Sequence, residues 1–255
     1  MSPVRREVLV ARYGSLLTTR GHAFLDAVEP EAGEPLRMDY YFWLIRDGDD
    51  VIVVDTGFDA EVGRRRGRML LADPLDLLDR LGTRPEHVRD VVVTHFHYDH
   101  IGNLRAFRDA RVWVQRRELD YWRRLIGVTG PETEYVERAE LEEVLRVEAE
   151  GRLQVVDGEA SPFPGITLQL VGGHTPGQQI VRVETGGREV VLASDACHFD
   201  EEVAQDRPYA LVTSVPEMLA GYRTLRSLRD DGALVLAGHD PAAAASLVGD
   251  GVRAV

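Results

Sequence analysis

The chain has 255 residues, and its 30 basic residues are all Arg against 43 Asp and Glu, for a formal net charge of −13. Without Lys there is no Schiff-base nucleophile and no P-loop lysine. The negative balance argues against a binder of nucleic acid, whose affinity rests on clustered positive charge. The single cysteine, Cys197, cannot form an intrachain disulfide. No apolar run reaches the roughly 18 residues of a membrane span, and the first residues hold too short an apolar stretch for a signal peptide. The expectation is a cytoplasmic protein with a small-molecule substrate, no nucleic-acid partner and no membrane partner, with a homodimer left open.

At about 150 residues per domain, and with no linker-like stretch, residues 1–255 read as one domain. Short β-branched runs punctuate it at Val8–Ala11, Tyr41–Ile45, Val51–Val54, Val91–Thr94, Val112–Gln115, Ile166–Val171, Ile180–Val183, Val190–Ala193 and Ala233–Ala237. Each is bounded by Gly, Asp or Pro, as strands are, and Asp47-Gly48 signals a hairpin. Helical spacing recurs at Pro74–Leu81, Glu118–Ile126, Thr133–Val147 and Val215–Leu228, and Ala242–Ala245 reads as a helix start. Strands at both ends with helices interleaved suit two packed sheets with helices outside, an α+β or αββα arrangement.

Chemistry concentrates in Thr94-His95-Phe96-His97-Tyr98-Asp99-His100. An HxHxDH pattern arises by chance in about one such chain in 1,500, so the signal is specific. Asp90–Thr94 reads as a buried strand, so His95 and His97, at i and i+2, point the same way as it ends. Asp99 then sits near the N-cap of a helix-like stretch, Ile101–Arg108. Four candidate ligands within six residues suit two adjacent ions better than one. Further ligands are expected at other strand exits: His174 in Gly172-Gly173-His174-Thr175-Pro176-Gly177, Asp195 after Ser194, and His239 in Gly238-His239-Asp240. The small neighbours read as room for metal and substrate. Imidazole and carboxylate without sulfur suit Zn²⁺, with Fe, Mn and Co open. His22 and His87 read as surface residues and Cys197 as a buried small side chain.

These motifs, with Val54-Asp55-Thr56-Gly57, resemble the metallo-β-lactamase superfamily over nearly the whole chain. The resemblance implies a four-layer αββα sandwich with a dinuclear centre at one edge. It implies that His95, His97 and His174 hold one ion, that Asp99, His100 and His239 hold the other, and that Asp195 bridges two Zn²⁺. Asp55 would orient a ligand histidine. The order of motifs and Arg207-Pro208-Tyr209 look most like the N-acyl homoserine lactonase branch. That implies a zinc-dependent, quorum-quenching hydrolase in which a metal-bridging hydroxide opens an ester, with Asp99 or His198 moving the proton. His198 is a departure, because that branch usually carries Tyr three residues after the bridging Asp.

The competing readings are a glyoxalase II-like thioesterase, a β-lactamase, a phosphodiesterase and a non-enzymatic metal-binding module. No Lys and no tight Arg group near His174 oppose the first, and Asp rather than Cys at position 195 opposes the second. The run Arg64-Arg65-Arg66-Gly67-Arg68 is the one candidate basic patch, and it reads as a solvated helix face. Phe24-Leu25, Tyr40–Trp43, Phe96, Tyr98 and Tyr121-Trp122-Leu125-Ile126 could line a pocket or serve as ordinary core. The stretch Glu118–Val147 is long enough to cover the site as a lid.

Overall fold

In the computed structural model, which describes residues 6–245, 248–249 and 252–254, every residue from Met38 to Ile45 is buried. An amphipathic strand buries alternate residues only, so both faces of this strand must be covered. Tyr41, Trp43 and Ile45 point into one apolar cluster, and Tyr40, Phe42 and Leu44 point into another.

The elements that provide this cover begin with β1 (Glu7–Thr19), α1 (Arg20–Ala23), β2 (Pro35–Asp47), β3 (Asp50–Val54), α2 (Ala60–Arg65), β4 (Met69–Leu70), α3 (Pro74–Arg80) and β5 (Asp90–Val92). Then come α4 (Tyr98–Ile101), β6 (Arg111–Gln115), α5 (Arg116–Leu125), α6 (Arg138–Ala149), β7 (Leu153–Val156), β8 (Glu159–Phe163), β9 (Ile166–Leu170) and β10 (Gln179–Glu184). The chain continues with β11 (Glu189–Ser194), α7 (Asp200–Gln205), α8 (Val215–Asp230), β12 (Leu234–Ala237), α9 (Pro241–Ala245), β13 (Val248–Gly249) and β14 (Val252–Ala254).

One sheet runs β13-β14-β1-β2-β3-β5-β6-β7, with β4 on β1, and the other runs β12-β11-β10-β9-β8. Between them lie Val8, Val10, Trp43, Val54, Leu168, Val181 and Leu192. The outer face of the first sheet packs on Leu77, Ile101, Leu119, Leu141 and Val144 from the helices. The outer face of the second packs on Met218, Tyr222 and Leu225 of α8. This is the four-layer αββα sandwich that the sequence implied. Helix α8 starts where Ser214 accepts from Glu217 N–H, which satisfies a free helix-end donor.

The nine strand runs all fall on strands, and Asp47 pairs with Asp50 across a turn with Gly48 at φ +63°. Three local readings need correction. The helix over Ile101–Arg108 is replaced by one turn at Tyr98–Ile101 and a 3-10 turn at Leu104–Ala106. Asp99 is therefore the second residue of α4, and His97 holds the cap position. The helix over Thr133–Val147 begins only at Arg138, after Pro131 starts a short 3-10 turn. Thr133, Tyr135 and Val136 are β-branched or aromatic and favour a helix poorly.

Candidate metal centre

The site forms where the chain leaves the strands. Asp55 follows β3, His95 follows β5, His174 follows β9, Asp195 follows β11 and His239 follows β12. Asp55 and Ser194 both hold positive φ, +62° and +47°, a strained conformation for residues with a Cβ. They meet at Thr94: Asp55 accepts from Thr94 N–H and Oγ1, each at 2.8 Å, and Thr94 Oγ1 lies 2.8 Å from Ser194 Oγ. The two strained exits are thus tied together beneath the histidines.

The structure brings all seven candidate ligands together. Ligand atoms of His95, His97, His174 and Asp195 lie within 4.8 Å of one another, as do those of Asp99, His100 and His239. Asp195 stands between the groups. Its Oδ1 is 3.0 Å from His239 Nε2 and 3.3 Å from His100 Nε2, and its Oδ2 is 3.2 Å from His174 Nε2 and 3.8 Å from His95 Nε2.

The outer ring nitrogens are fixed from behind. His100 Nδ1 lies 2.7 Å from Asp55 Oδ2, His174 Nδ1 2.9 Å from Leu211 O, and His239 Nδ1 2.9 Å from Asp39 O. Such partners set the tautomer that leaves Nε2 free. His95 Nε2 and His100 Nε2 are buried and have no hydrogen-bond partner. An orphaned buried group costs about 1–3 kcal/mol, and a cation at these donors would satisfy both. The all-imidazole and carboxylate donor set fits a divalent metal.

Electrostatics agree. Burial holds His95 and His174 well below the usual imidazole value and brings His97 down to about 4, so these rings are neutral, as metal ligands must be. Burial pulls His100 the same way, but Asp195, Asp99 and Asp55 outweigh it. Burial pushes Asp195 up, and four surrounding imidazoles outweigh that and hold it well below the carboxylate range.

A cavity of about 50 Å³ opens beside His97, Asp99, Asp195 and His239. It shares His97, Tyr135, His174 and Leu211 with a groove of about 570 Å³ whose walls include Tyr121, Trp122 and Val212. A larger depression of about 780 Å³, bounded by Asp50, Glu86, Asp109 and Phe163, has none of these ligands on its walls.

Residues 38–239 match the metallo-beta-lactamase superfamily, a span from β2 to the last candidate ligand. The chain belongs to that superfamily. Among its relatives is an N-acyl homoserine lactonase of Bacillus sp, 25% identical over 223 residues, covering 82% of this chain and 84% of the relative. A probable metallo-hydrolase of Mycobacterium tuberculosis is 29% identical over 231 residues, 78% of this chain and 70% of that protein. Among solved structures, an N-acyl homoserine lactone hydrolase with N-hexanoyl-L-homoserine at its catalytic metal centre superposes with a TM-score of 0.79. It is 20% identical and covers 96% of this chain and 97% of that one. A dizinc quorum-quenching lactonase superposes at 0.76, with 18% identity and 94% and 90% coverage.

Several side chains around the site differ from what the sequence led one to expect. The glycines beside the ligands make room for the protein itself. A Cβ on Gly173, at φ +93°, would lie 2.6 Å from Met218 Cα, and one on Gly238 would lie 2.6 Å from Ser194 O. The arginine run is not a solvated helix face throughout. Helix α2 ends at Arg65, Arg66 stacks 4.2 Å over the Tyr98 ring and pairs with Glu137, and Arg68 Nε donates to Tyr98 Oη at 2.9 Å. The segment Glu118–Val147 forms a wall of the groove, pinned to the core by buried Leu119, Trp122, Leu141 and Val144. Of the candidate pocket residues, Tyr40, Tyr98, Tyr121 and Trp122 reach the cavities, whereas Phe96 and Trp43 are core and Leu25 is exposed. His22 and His87 are exposed and Cys197 is buried.

His198 is buried, with Nε2 3.1 Å from Asp195 Oδ2 and Nδ1 3.4 Å from Glu202 Oε1. Its ring stacks at 3.6 Å on Tyr209 of the Arg-Pro-Tyr segment. Burial lowers its basicity, but Asp195 and Glu202 outweigh this and raise it to about 9.

Sequence reasoning passed over Glu118, which only begins an amphipathic pattern. It is fully buried, and its carboxylate accepts from Phe96 N, Trp122 Nε1, Thr175 Oγ1 and Gly177 N at 2.7–2.9 Å. It thereby joins the His95–His97 loop, the groove wall and the His174 loop. Its one visible signal was a carboxylate on the apolar face of a helix.

Proposed function

We propose that the chain is a dinuclear metal-dependent hydrolase, zinc being the best-fitting metal, that opens the ester of a lactone such as an N-acyl homoserine lactone. The observation that carries this reading is the division of Asp195, one oxygen toward His100 and His239 and the other toward His174 and His95. A bridging carboxylate has that arrangement, so His95, His97 and His174 would hold one ion and Asp99, His100 and His239 the other. Two such ions would polarise a carbonyl and lower the pKa of a bound water from about 15.7 to about 7. The lactonase names among the relatives support the substrate class, and consumption of such a signal inside the cell would be quorum quenching.

The chain's own residues supply the rest. The groove walls of Tyr121, Trp122, Tyr135, Leu211 and Val212 offer apolar surface to an acyl chain. Tyr13 Oη donates to Asp99 O at 2.9 Å, fixing α4 so that the Asp99 carboxylate faces the centre. Asp99 can then take the proton of the attacking water. His198, beside Asp195 and on the cavity wall, can return one to the leaving alkoxide.

The test is kcat/KM of the metal-loaded protein on N-hexanoyl homoserine lactone, an acyl-glutathione thioester, an aryl phosphodiester and a β-lactam. The lactone is expected to lead. A protein with metal bound that opens no lactone of any chain length would overturn the reading.

A further inference from the structure

The cavity beside the candidate ligands is lined by a cation that forms no ion pair among the described residues, although the Asp99 carboxylate favours its charge without hydrogen-bonding it. Gly67, at φ +67°, turns the chain after α2 so that Arg68 comes back against Tyr98, while Met69 pairs with Ser15 of β1. Arg68 lines the cavity with His97, Asp99, Tyr135, His198 and His239. Its Nε donates to Tyr98 Oη at 2.9 Å and its Nη1 donates to Arg66 O at 2.8 Å. Among the described residues its Nη2 has no hydrogen-bond acceptor, and no carboxylate forms an ion pair with it. Its neighbours differ: Arg65 and Arg66 pair with Glu137, and Arg117 on the groove wall pairs with Glu217.

Stacking does not explain the placement. Arg66 occupies the Tyr98 ring at 4.2 Å, and Arg68 stands 6.0 Å from it, at the limit of a useful cation–π contact. A half-buried guanidinium with a free fork of N–H donors sheds water for little return unless an oxygen acceptor arrives. Arginine is suited to that task, because its planar donors match carbonyl and carboxylate oxygens.

We propose that Arg68 selects substrates bearing a second oxygen acceptor near the scissile ester, such as an oxo group on the acyl chain, and that Tyr98 holds it in place. This rests on the lactonase reading. Arg68 would be a specificity residue, because the acceptor it binds belongs to only some lactones.

The test uses the full chain loaded with zinc and a matched pair of substrates, N-hexanoyl and N-(3-oxohexanoyl) homoserine lactone. The readout is the ratio of their kcat/KM values. For the parent protein the oxo substrate is expected to be favoured about tenfold, the worth of one charge-assisted hydrogen bond. In Arg68→Met the ratio falls to about one, whatever change both rates share, and Arg68→Lys recovers part of it. The ratio is internal to each variant, so a partly folded preparation does not blur it. A parent ratio of one, or a ratio unchanged in Arg68→Met, overturns the proposal and leaves the lactonase reading standing. Failure of the parent to open either lactone overturns the lactonase reading itself, and this proposal with it.

Discussion

His100 Nδ1 lies 2.7 Å from Asp55 Oδ2, and both side chains are buried. The carboxylate that orients this ring also accepts twice from Thr94, so one residue ties β3 to the loop carrying His95 and to α4. Asp55→Asn keeps the shape and removes the charge. It is expected to weaken metal binding about 10- to 100-fold, measured by competition with a chromophoric chelator. Unchanged affinity would show that His100 needs no carboxylate behind it.

Glu118 accepts four hydrogen bonds in a fully buried place. Glu118→Ala would strand two backbone and two side-chain donors. A loss of about 3–5 kcal/mol in urea unfolding is expected from the usual cost of buried unpaired groups, with Glu118→Gln falling between. A loss below about 1 kcal/mol would mean that water replaces the carboxylate there.

His198→Phe keeps a ring to stack on Tyr209 and removes both nitrogens. If His198 carries a proton, kcat for a lactone falls about 10²-fold or more, while metal content by plasma emission stays that of the parent. Restoration of part of the rate by His198→Tyr is expected, since a phenol also donates. An unaltered kcat would assign the proton to Asp99 alone.

Glu140 shows the opposite economy, a buried carboxyl with Oε2 unpartnered. Burial raises it from 4.5 to about 9. The folded state then binds more protons than the unfolded one between those values, so its contribution to stability is full below about 4.5 and is lost as pH rises toward 9. Glu140→Gln should therefore be more stable than the parent at pH 8, by on the order of 2 kcal/mol, and no more stable near pH 4. Parallel stability-against-pH curves for the two proteins would refute this.

The short apolar runs made the sandwich legible, because continuous stretches such as Val8–Ala11 and Tyr41–Ile45 mark strands covered on both faces. Edge strands β7 and β8 were not visible: Leu153–Val156 and Glu159–Phe163 are only partly buried, so they lack the apolar density that marks central strands. The HxHxDH spacing and the lone His or Asp at three strand exits were enough to pick out the seven residues that the fold gathers. Glu118 stayed hidden because three of its four donors lie 22 to 59 positions away, and Arg68 was read only as part of a basic run because its approach to Tyr98, 30 positions on, depends on a turn at one glycine. Long-range polar partnerships leave no local period.

A centre that opens lactones with two ions should need both of them. The most direct measurement is the rate of N-hexanoyl homoserine lactone hydrolysis as metal-free protein is titrated with Zn²⁺. The rate should climb until two equivalents per chain are bound and then stay level. Full activity at one equivalent, or no lactone hydrolysis with two bound, would contradict it.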